Sequence, residues 1–203
     1  MKIICVGRNY ADHAKELQND VPTTPVIFMK PRTALLFPEK PMYYPEFTDD
    51  LQYECEVVIR ISKNGKYIQE QFAHKYYSDV SLGIDFTARD LQREQQKKGL
   101  PWEIAKAFDG SAAIGDFLPL DNDNRVGNLS FQLRINGATV QDGRTADMIF
   151  SVDRIIAYVS QFFTLHIGDL VYTGTPAGVG KVNPEDKLEG ILQGKKVLEV
   201  LIK

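Results

Sequence analysis

The sequence predicts a strand-rich α+β domain built on a mixed or antiparallel sheet. Three observations carry that expectation. Residues Tyr53 to Ser62 alternate with period two: Tyr53, Cys55, Val57, Ile59 and Ile61 face one way, and Glu54, Glu56, Val58, Arg60 and Ser62 the other. That is the pattern of a half-buried strand. Asn136-Gly137 stands between two strand-like runs, and this dipeptide tolerates the positive φ angles of a type I′ hairpin turn. Ser151 to Phe163 repeats Val152, Ile155, Ile156, Val159, Phe162 and Phe163 at helical spacing and is one of few such segments, so strands outnumber helices.

In chain order, a strand is expected over Lys2 to Val6, then a helix from Tyr10 to about Gln18 capped by Asn9. Pro38, Pro41 and Pro45 remove donors and restrict the residues before them, which makes that stretch an ordered loop or edge segment. Val80 to Asp85 reads as a second strand. It passes at Thr87 into a polar helix that runs to about Lys98 and is closed by Gly99 and Pro101, with Arg93, Glu94, Lys97 and Lys98 facing solvent. Leu129 to Ile135 forms the first arm of the hairpin, and its partner begins at Ala138. The tail returns to strands at Leu170 to Thr173, Lys187 to Leu192 and Val197 to Ile202.

The 203 residues suit one domain, 1–203, with no linker or repeat dividing it. With 24 Lys+Arg against 27 Asp+Glu, the formal charge of -3 gives no basic surface for a phosphate backbone, so nucleic acid is not an expected partner. No apolar run approaches the ~18 residues that span a bilayer, and Ile3-Ile4-Cys5-Val6 is too short for a secretory segment. Neither a membrane nor export is expected. Cys5 and Cys55 are too few for a disulfide framework or a zinc ribbon, and a reducing, cytoplasmic setting follows.

Glu54 and Glu56 project from one face of a strand, about 6.6 Å apart at the backbone. They are either two solvated charges or a pair sharing one ion. Asp85 ends an apolar strand where strand gives way to helix, the place where sites are usually assembled. Three carboxylates without thiolates or a histidine pair make a hard, all-oxygen set suited to Mg²⁺ or Mn²⁺, then Ca²⁺, and unsuited to zinc. His13 and Glu16 share a helix face, as a surface pair or as a dyad in which the acid orients a general base. His74 and His166 have no such partner and read as structural or surface residues. The stretch Thr173 to Lys181 fails the Walker pattern at Thr175 and Val182. It is either a connecting turn or a nest whose N–H groups and Thr175 hydroxyl hold an anion. Lys106, among apolar residues, either snorkels outward or is held inside against an acid.

Seven ordered blocks extend the reading. They are Gly7-Arg8-Asn9-Tyr10-Ala11-Asp12-His13, Met29-Lys30-Pro31, Tyr53-Glu54-Cys55-Glu56-Val57, Asp85-Phe86-Thr87-Ala88-Arg89-Asp90-Leu91-Gln92, Ala105-Lys106-Ala107-Phe108-Asp109, Asp147-Met148-Ile149-Phe150, and Tyr172 through Gly180. Together they resemble the fumarylacetoacetate hydrolase family, in particular its short acylpyruvase and oxaloacetate decarboxylase members. The resemblance implies a mixed β-sandwich roll, a homodimer, and a divalent cation held by Glu54, Glu56 and Asp85. It makes His13 and Glu16 the dyad that activates water, on a segment that closes over the substrate. It places Lys106 at the reacting carbonyl, and Arg89, Gln92, Thr175 and Lys30 around the substrate. The segment Arg144-Thr145-Ala146 departs from the family pattern, in which a smaller or amide residue often stands first, and this bears on substrate shape.

The expected activity is metal-dependent hydrolysis of acylpyruvates to pyruvate and a carboxylic acid, with oxaloacetate decarboxylation at the same site. Two alternatives stand beside it. One is a 2-hydroxyhepta-2,4-diene-1,7-dioate isomerase or 5-oxopent-3-ene-1,2,5-tricarboxylate decarboxylase. The other is a non-catalytic 2-oxo acid binding protein.

Overall fold

The computed structural model describes residues 1–16, 20–120 and 126–203. Along the chain run β1 (Ile3–Gly7), α1 (Ala11–Glu16), β2 (Val26–Lys30), β3 (Leu35–Leu36), β4 (Leu51–Tyr53), β5 (Cys55–Ile61), β6 (Tyr77–Asp85), β7 (Thr87–Ala88), α2 (Arg89–Lys98) and α3 (Glu103–Lys106). Then come β8 (Ala112–Ile114), β9 (Leu118–Pro119), β10 (Ser130–Ile135), β11 (Ala138–Arg144), α4 (Val152–Phe162), β12 (Leu170–Tyr172), β13 (Gly180–Lys181), β14 (Lys187–Leu192) and β15 (Lys195–Leu201).

An eight-stranded sheet in the order β2-β1-β12-β5-β6-β8-β3, with β9 also on β6, forms the centre. Parallel pairs β1–β12 and β3–β8 among antiparallel neighbours make it mixed. A four-stranded antiparallel sheet, β11-β10-β14-β15, supplies the second layer, and β13-β4-β7 form a small third sheet. Val57, Ile59, Leu82 and Ile84 share one core with Phe131, Leu133, Leu188 and Val200 of the second layer and with Ile155, Ile156 and Val159 of α4. A smaller cluster of Ile3, Cys5, Val58, Ala112, Ile114, Leu170 and Tyr172 covers the opposite face of the large sheet.

That second cluster corrects the expectation of a half-buried strand. Val58 has no exposure, and β5 is buried on both faces, as a central strand in a covered sheet must be. Other signals translate directly. Asn136 and Gly137 adopt φ values of 51° and 84° in the β10–β11 turn. Ser151 Oγ accepts from Arg154 N at 3.2 Å and caps α4, and Gly99, at φ 65°, closes α2 with its N–H on the carbonyls of Gln95 and Gln96.

The helix expected to reach Gln18 is described to Glu16, and Gln18 lies outside the described residues. Asn9 is not a simple cap: its Nδ2 donates to the carbonyls of Phe150 and Thr173, and its Oδ1 accepts from Phe150 N. It thereby ties the start of α1 to two distant segments. No described helix is long and apolar enough to cross a membrane.

The parallel register of β1 on β12 (Ile3 to Leu170) is fastened by Asp169. Its carboxylate accepts from Lys2 N at 2.7 Å and His166 N at 2.8 Å, and pairs with Lys2 Nζ at 2.5 Å. Burial opposes its charge, but the Lys2 ammonium and the two amides outweigh burial and hold its carboxyl below the usual range. Asp169→Ala is therefore expected to lower unfolding stability at pH 7 by about 1–3 kcal/mol. Because the folded carboxyl titrates below its unfolded value of about 3.9, this contribution is complete above that pH and fades as acid brings the folded group to protonation. Urea denaturation of both proteins across pH checks it; a difference that stays constant into strong acid contradicts the linkage.

Candidate metal centre

Strand register gathers the three acids. Cys55 pairs with Ile84 across β5 and β6, and Asp85 N donates to the Glu54 carbonyl at 2.9 Å, so Glu54 stands directly opposite Asp85. Cross-strand neighbours of this kind share a face, and Glu56 joins them two residues along. One carboxylate oxygen from each of Glu54, Glu56 and Asp85 lies within 4.8 Å of the others, the one such acidic group among the described residues. All three are buried, with exposures of 6%, 2% and 0%, which excludes the reading of Glu54 and Glu56 as solvated surface charges.

Three cations surround them. Lys106, at the end of α3, is held inside: its Nζ donates to Glu54 Oε2 at 2.7 Å and Asp85 Oδ2 at 2.9 Å. Lys30, from β2, lies 2.7 Å from Asp85 Oδ1 and donates to the Lys106 carbonyl and to Ser111 O and Oγ. Arg89, opening α2, reaches Glu54 Oε1 at 2.5 Å, Gln92 Oε1 at 2.5 Å and Gln52 Oε1 at 2.8 Å. Burial raises the Glu54 carboxyl, but Lys106 and Arg89 outweigh it and hold the group well below the usual range. Burial depresses the Lys106 ammonium, and Asp85 and Glu54 more than restore it.

Glu56 differs. Burial first, then repulsion from Asp85 and Glu54, push its carboxyl well above the usual range, opposed mainly by the Gly174 N–H at 2.7 Å. It has no ion-pair partner among the described residues. A buried carboxylate lacking a counter-charge, beside two others, is a place that a hard divalent cation fits. The all-oxygen donor set, with no thiolate or imidazole pair, points the same way.

The glycine-rich turn after β12 does present N–H groups to anions, but to the protein's own. Gly174, at φ 98°, holds Glu56, and Gly178 N donates to Glu16 Oε1 at 3.1 Å. Glu16 Oε2 in turn stands 3.3 Å from His13 Nδ1, so the turn links one candidate metal ligand to the His13–Glu16 pair. Thr175 Oγ1 donates to the Cys55 carbonyl and accepts from Gln141 Nε2, both at 2.8 Å.

One cleft brings together His13, Glu54, Glu56, Asp85, Arg89, Gln92, Lys106 and Thr175. Glu16 and Lys30 stand behind it, bonded to its wall. Arg8, Phe28, Gln96 and Trp102 also line it and were not singled out by spacing. Phe28 and Trp102 pack as a tilted pair with centroids 5.8 Å apart, and Lys106 Nζ lies 5.4 Å from the Phe28 ring. His74 and His166 are exposed and line no part of this cleft. A roomier groove of about 480 Å³ between Pro38–Pro41 and β15 is lined by Glu39, Asp116 and Glu199, but these do not gather as Glu54, Glu56 and Asp85 do.

Known proteins match this arrangement along the whole chain. The family description "Fumarylacetoacetate (FAA) hydrolase C-terminal" matches residues 2–202. The chain is 42% identical over 192 residues to "Oxaloacetate tautomerase FAHD1, mitochondrial" from Bos taurus, covering 95% of this chain and 87% of that one. A solved fumarylpyruvate hydrolase from Pseudomonas aeruginosa, in complex with Mn²⁺ and pyruvate, superposes with a TM-score of 0.94 at 37% identity, covering 100% of this chain and 89% of the other. The 2-hydroxyhepta-2,4-diene-1,7-dioate isomerase from Mycobacterium marinum gives 0.86 at 32% identity, over 99% and 73%. These relatives are named as enzymes acting on small oxo or hydroxy acids. Sequence match and superposition agree over nearly every residue, and the chain belongs to the fumarylacetoacetate hydrolase family.

Proposed function

We propose that residues 1–203 form one catalytic domain that hydrolyses the C–C bond of acylpyruvates, releasing pyruvate and a carboxylic acid. The observation that carries this reading is the meeting, in one cleft, of three buried carboxylates, the Lys106 ammonium and the imidazole of the His13–Glu16 pair. Mg²⁺ or Mn²⁺, with Ca²⁺ a poorer fit, held by Glu54, Glu56 and Asp85 would supply Lewis-acid polarisation of the 2-oxo acid.

The chain's own residues do the rest. Arg89 and Gln92 orient the substrate carboxylate, Thr175, whose hydroxyl proton goes to the Cys55 carbonyl, shapes the cleft beside it, and Lys30 fixes Asp85 and the Lys106 backbone. Glu16, itself held by Gly178, keeps the His13 Nδ1 proton in place and leaves Nε2 as the base. His13 takes a proton from water as the oxygen attacks the distal acyl carbonyl, and Lys106 faces the oxyanion that develops. Collapse breaks the C–C bond, and its electron pair passes to the pyruvate fragment, which takes the proton back. Oxaloacetate decarboxylation in the same cleft needs no attacking water.

His13→Ala should therefore cut acylpyruvate hydrolysis by about 10²–10⁴-fold and oxaloacetate decarboxylation far less. Paired assays of both reactions decide it, and equal losses contradict the water-activating role. A second reading, proton transfer without bond cleavage, is favoured by the tautomerase and isomerase names of the relatives. The His13–Glu16 pair favours hydrolysis. Purified protein with Mg²⁺ and acetylpyruvate is expected to release pyruvate; silence with every 2,4-dioxo acid overturns the hydrolase reading in favour of isomerisation or simple binding. The proposal includes a homodimer and a cytoplasmic setting, the latter supported by the two free, buried thiols Cys5 and Cys55.

A further inference from the structure

We propose that Arg8 selects 2-oxo acids carrying a second carboxylate, by binding that group inside the cleft. The inference rests on the cleft being a 2-oxo acid site and adds the identity of the substrate's far end. Arg8 follows Gly7 at the end of β1, lines the cleft beside His13 and is half-buried. Its charge is shared with no acid of the site, whereas each neighbouring cation is already paired with one. Lys106 is held by Glu54 and Asp85, Lys30 by Asp85, and Arg89 by Glu54. Arg8 has no carboxylate partner among the described residues.

Its backbone is in the left-handed region, at φ 60°, which residues with a Cβ rarely adopt. Glycine would take that conformation without penalty. The strain is imposed from the next residue, because the Asn9 side chain is bonded to Phe150 N, Phe150 O and Thr173 O and fixes where the chain turns. A residue bearing a charged fork is thus held at a fixed corner of the cleft that also contains the imidazole facing the substrate's acyl end. Charge balance agrees. Lys106, Arg89 and Arg8 offset the three carboxylates lining the cleft, so a divalent cation leaves it positive and suited to a doubly charged ligand. The guanidinium geometry matches a carboxylate in bidentate fashion.

The test compares two ligands of equal length, 2-oxopentanedioate and 2-oxopentanoate, titrated calorimetrically into the Mg²⁺-loaded protein. The wild type is expected to bind the diacid about tenfold or more tighter, the scale of a hydrogen bond to a charged group. Arg8→Gln should bring the ratio of the two affinities close to one, and Arg8→Lys should recover part of it. Arg8→Gly removes the side chain while relieving the φ strain, and should behave as Arg8→Gln does, which guards against a misfolded variant. A wild type without preference for the diacid, or variants that weaken both ligands and keep the ratio, overturns the assignment. The ratio is read without turnover, so a protein that prefers the diacid yet releases no pyruvate sinks the hydrolase reading alone.

Discussion

Glu56→Ala is expected to abolish divalent-cation binding and acylpyruvate hydrolysis while the protein stays folded. Glu56 is the one member of the acidic trio without a cation at ion-pair distance among the described residues; its main support is the Gly174 N–H. Removing it relieves repulsion from Glu54 and Asp85 and costs the fold one hydrogen bond, so stability should change little or rise in the metal-free protein. Metal affinity behaves oppositely. Loss of an outer-shell partner costs about 10–100-fold, and loss of a ligand that brings both an oxygen and a charge should exceed that, taking turnover to background. Calorimetry with Mg²⁺ and Mn²⁺, alongside urea denaturation, separates the two effects. Undiminished Mg²⁺ affinity in a folded Glu56→Ala protein refutes the assignment.

Lys106→Met should have the reverse signature. Its Nζ bridges Glu54 Oε2 and Asp85 Oδ2 in a site almost without solvent, and methionine fills the volume while removing the charge. Breaking a buried ion pair from one side leaves uncompensated charge and costs about 3–5 kcal/mol. The metal-free variant should therefore be much less stable than wild type, and saturating Mg²⁺ should restore stability in proportion to its affinity. The loss of kcat should be about 10²–10³-fold, the scale for one group opposing an oxyanion. Unfolding curves with and without Mg²⁺ provide the check; a metal-free variant as stable as wild type contradicts the bridging role.

How far the sequence reveals this arrangement depends on whether the signal is local. Asn136-Gly137 and Ser151 act within a few residues of themselves, and both do in the fold what their chemistry dictates. The alternation of Tyr53 to Ser62 locates β5 but misjudges its surroundings, because period two cannot report that Ile3, Ala112 and Tyr172 arrive later to cover the second face. β8 escapes for a related reason, its three residues being buried inside a covered sheet, and β2, an edge strand, escapes because Val26 to Met29 are all half-buried and show no alternation. Asn9 looks like a cap from its position before a helix, yet its partners, Phe150 and Thr173, lie over 140 residues away.

The site divides along the same line. Glu54 and Glu56 share a face by spacing alone, but their meeting with Asp85 depends on the β5–β6 register, which only the family resemblance anticipates before the fold is known. Lys106 reads as ambiguous among apolar neighbours, and its burial against two acids resolves the choice. The anion-holding turn at Gly174 and Gly178 is legible as glycine-rich, while its occupants, Glu56 and Glu16, are not. Arg8 stands in the first of the seven blocks, but the sequence assigns it no role, since its interest lies in a φ value and in the absence of a carboxylate partner among the described residues.

Crystals grown with Mn²⁺ and measured at a wavelength where manganese scatters anomalously test the central claim most directly. One strong anomalous peak is expected among Glu54, Glu56 and Asp85, within about 2.0–2.6 Å of an oxygen from each. Manganese bound elsewhere, or a cluster in which Lys106 still bridges Glu54 and Asp85 with no metal peak between the three acids at saturating Mn²⁺, would contradict it.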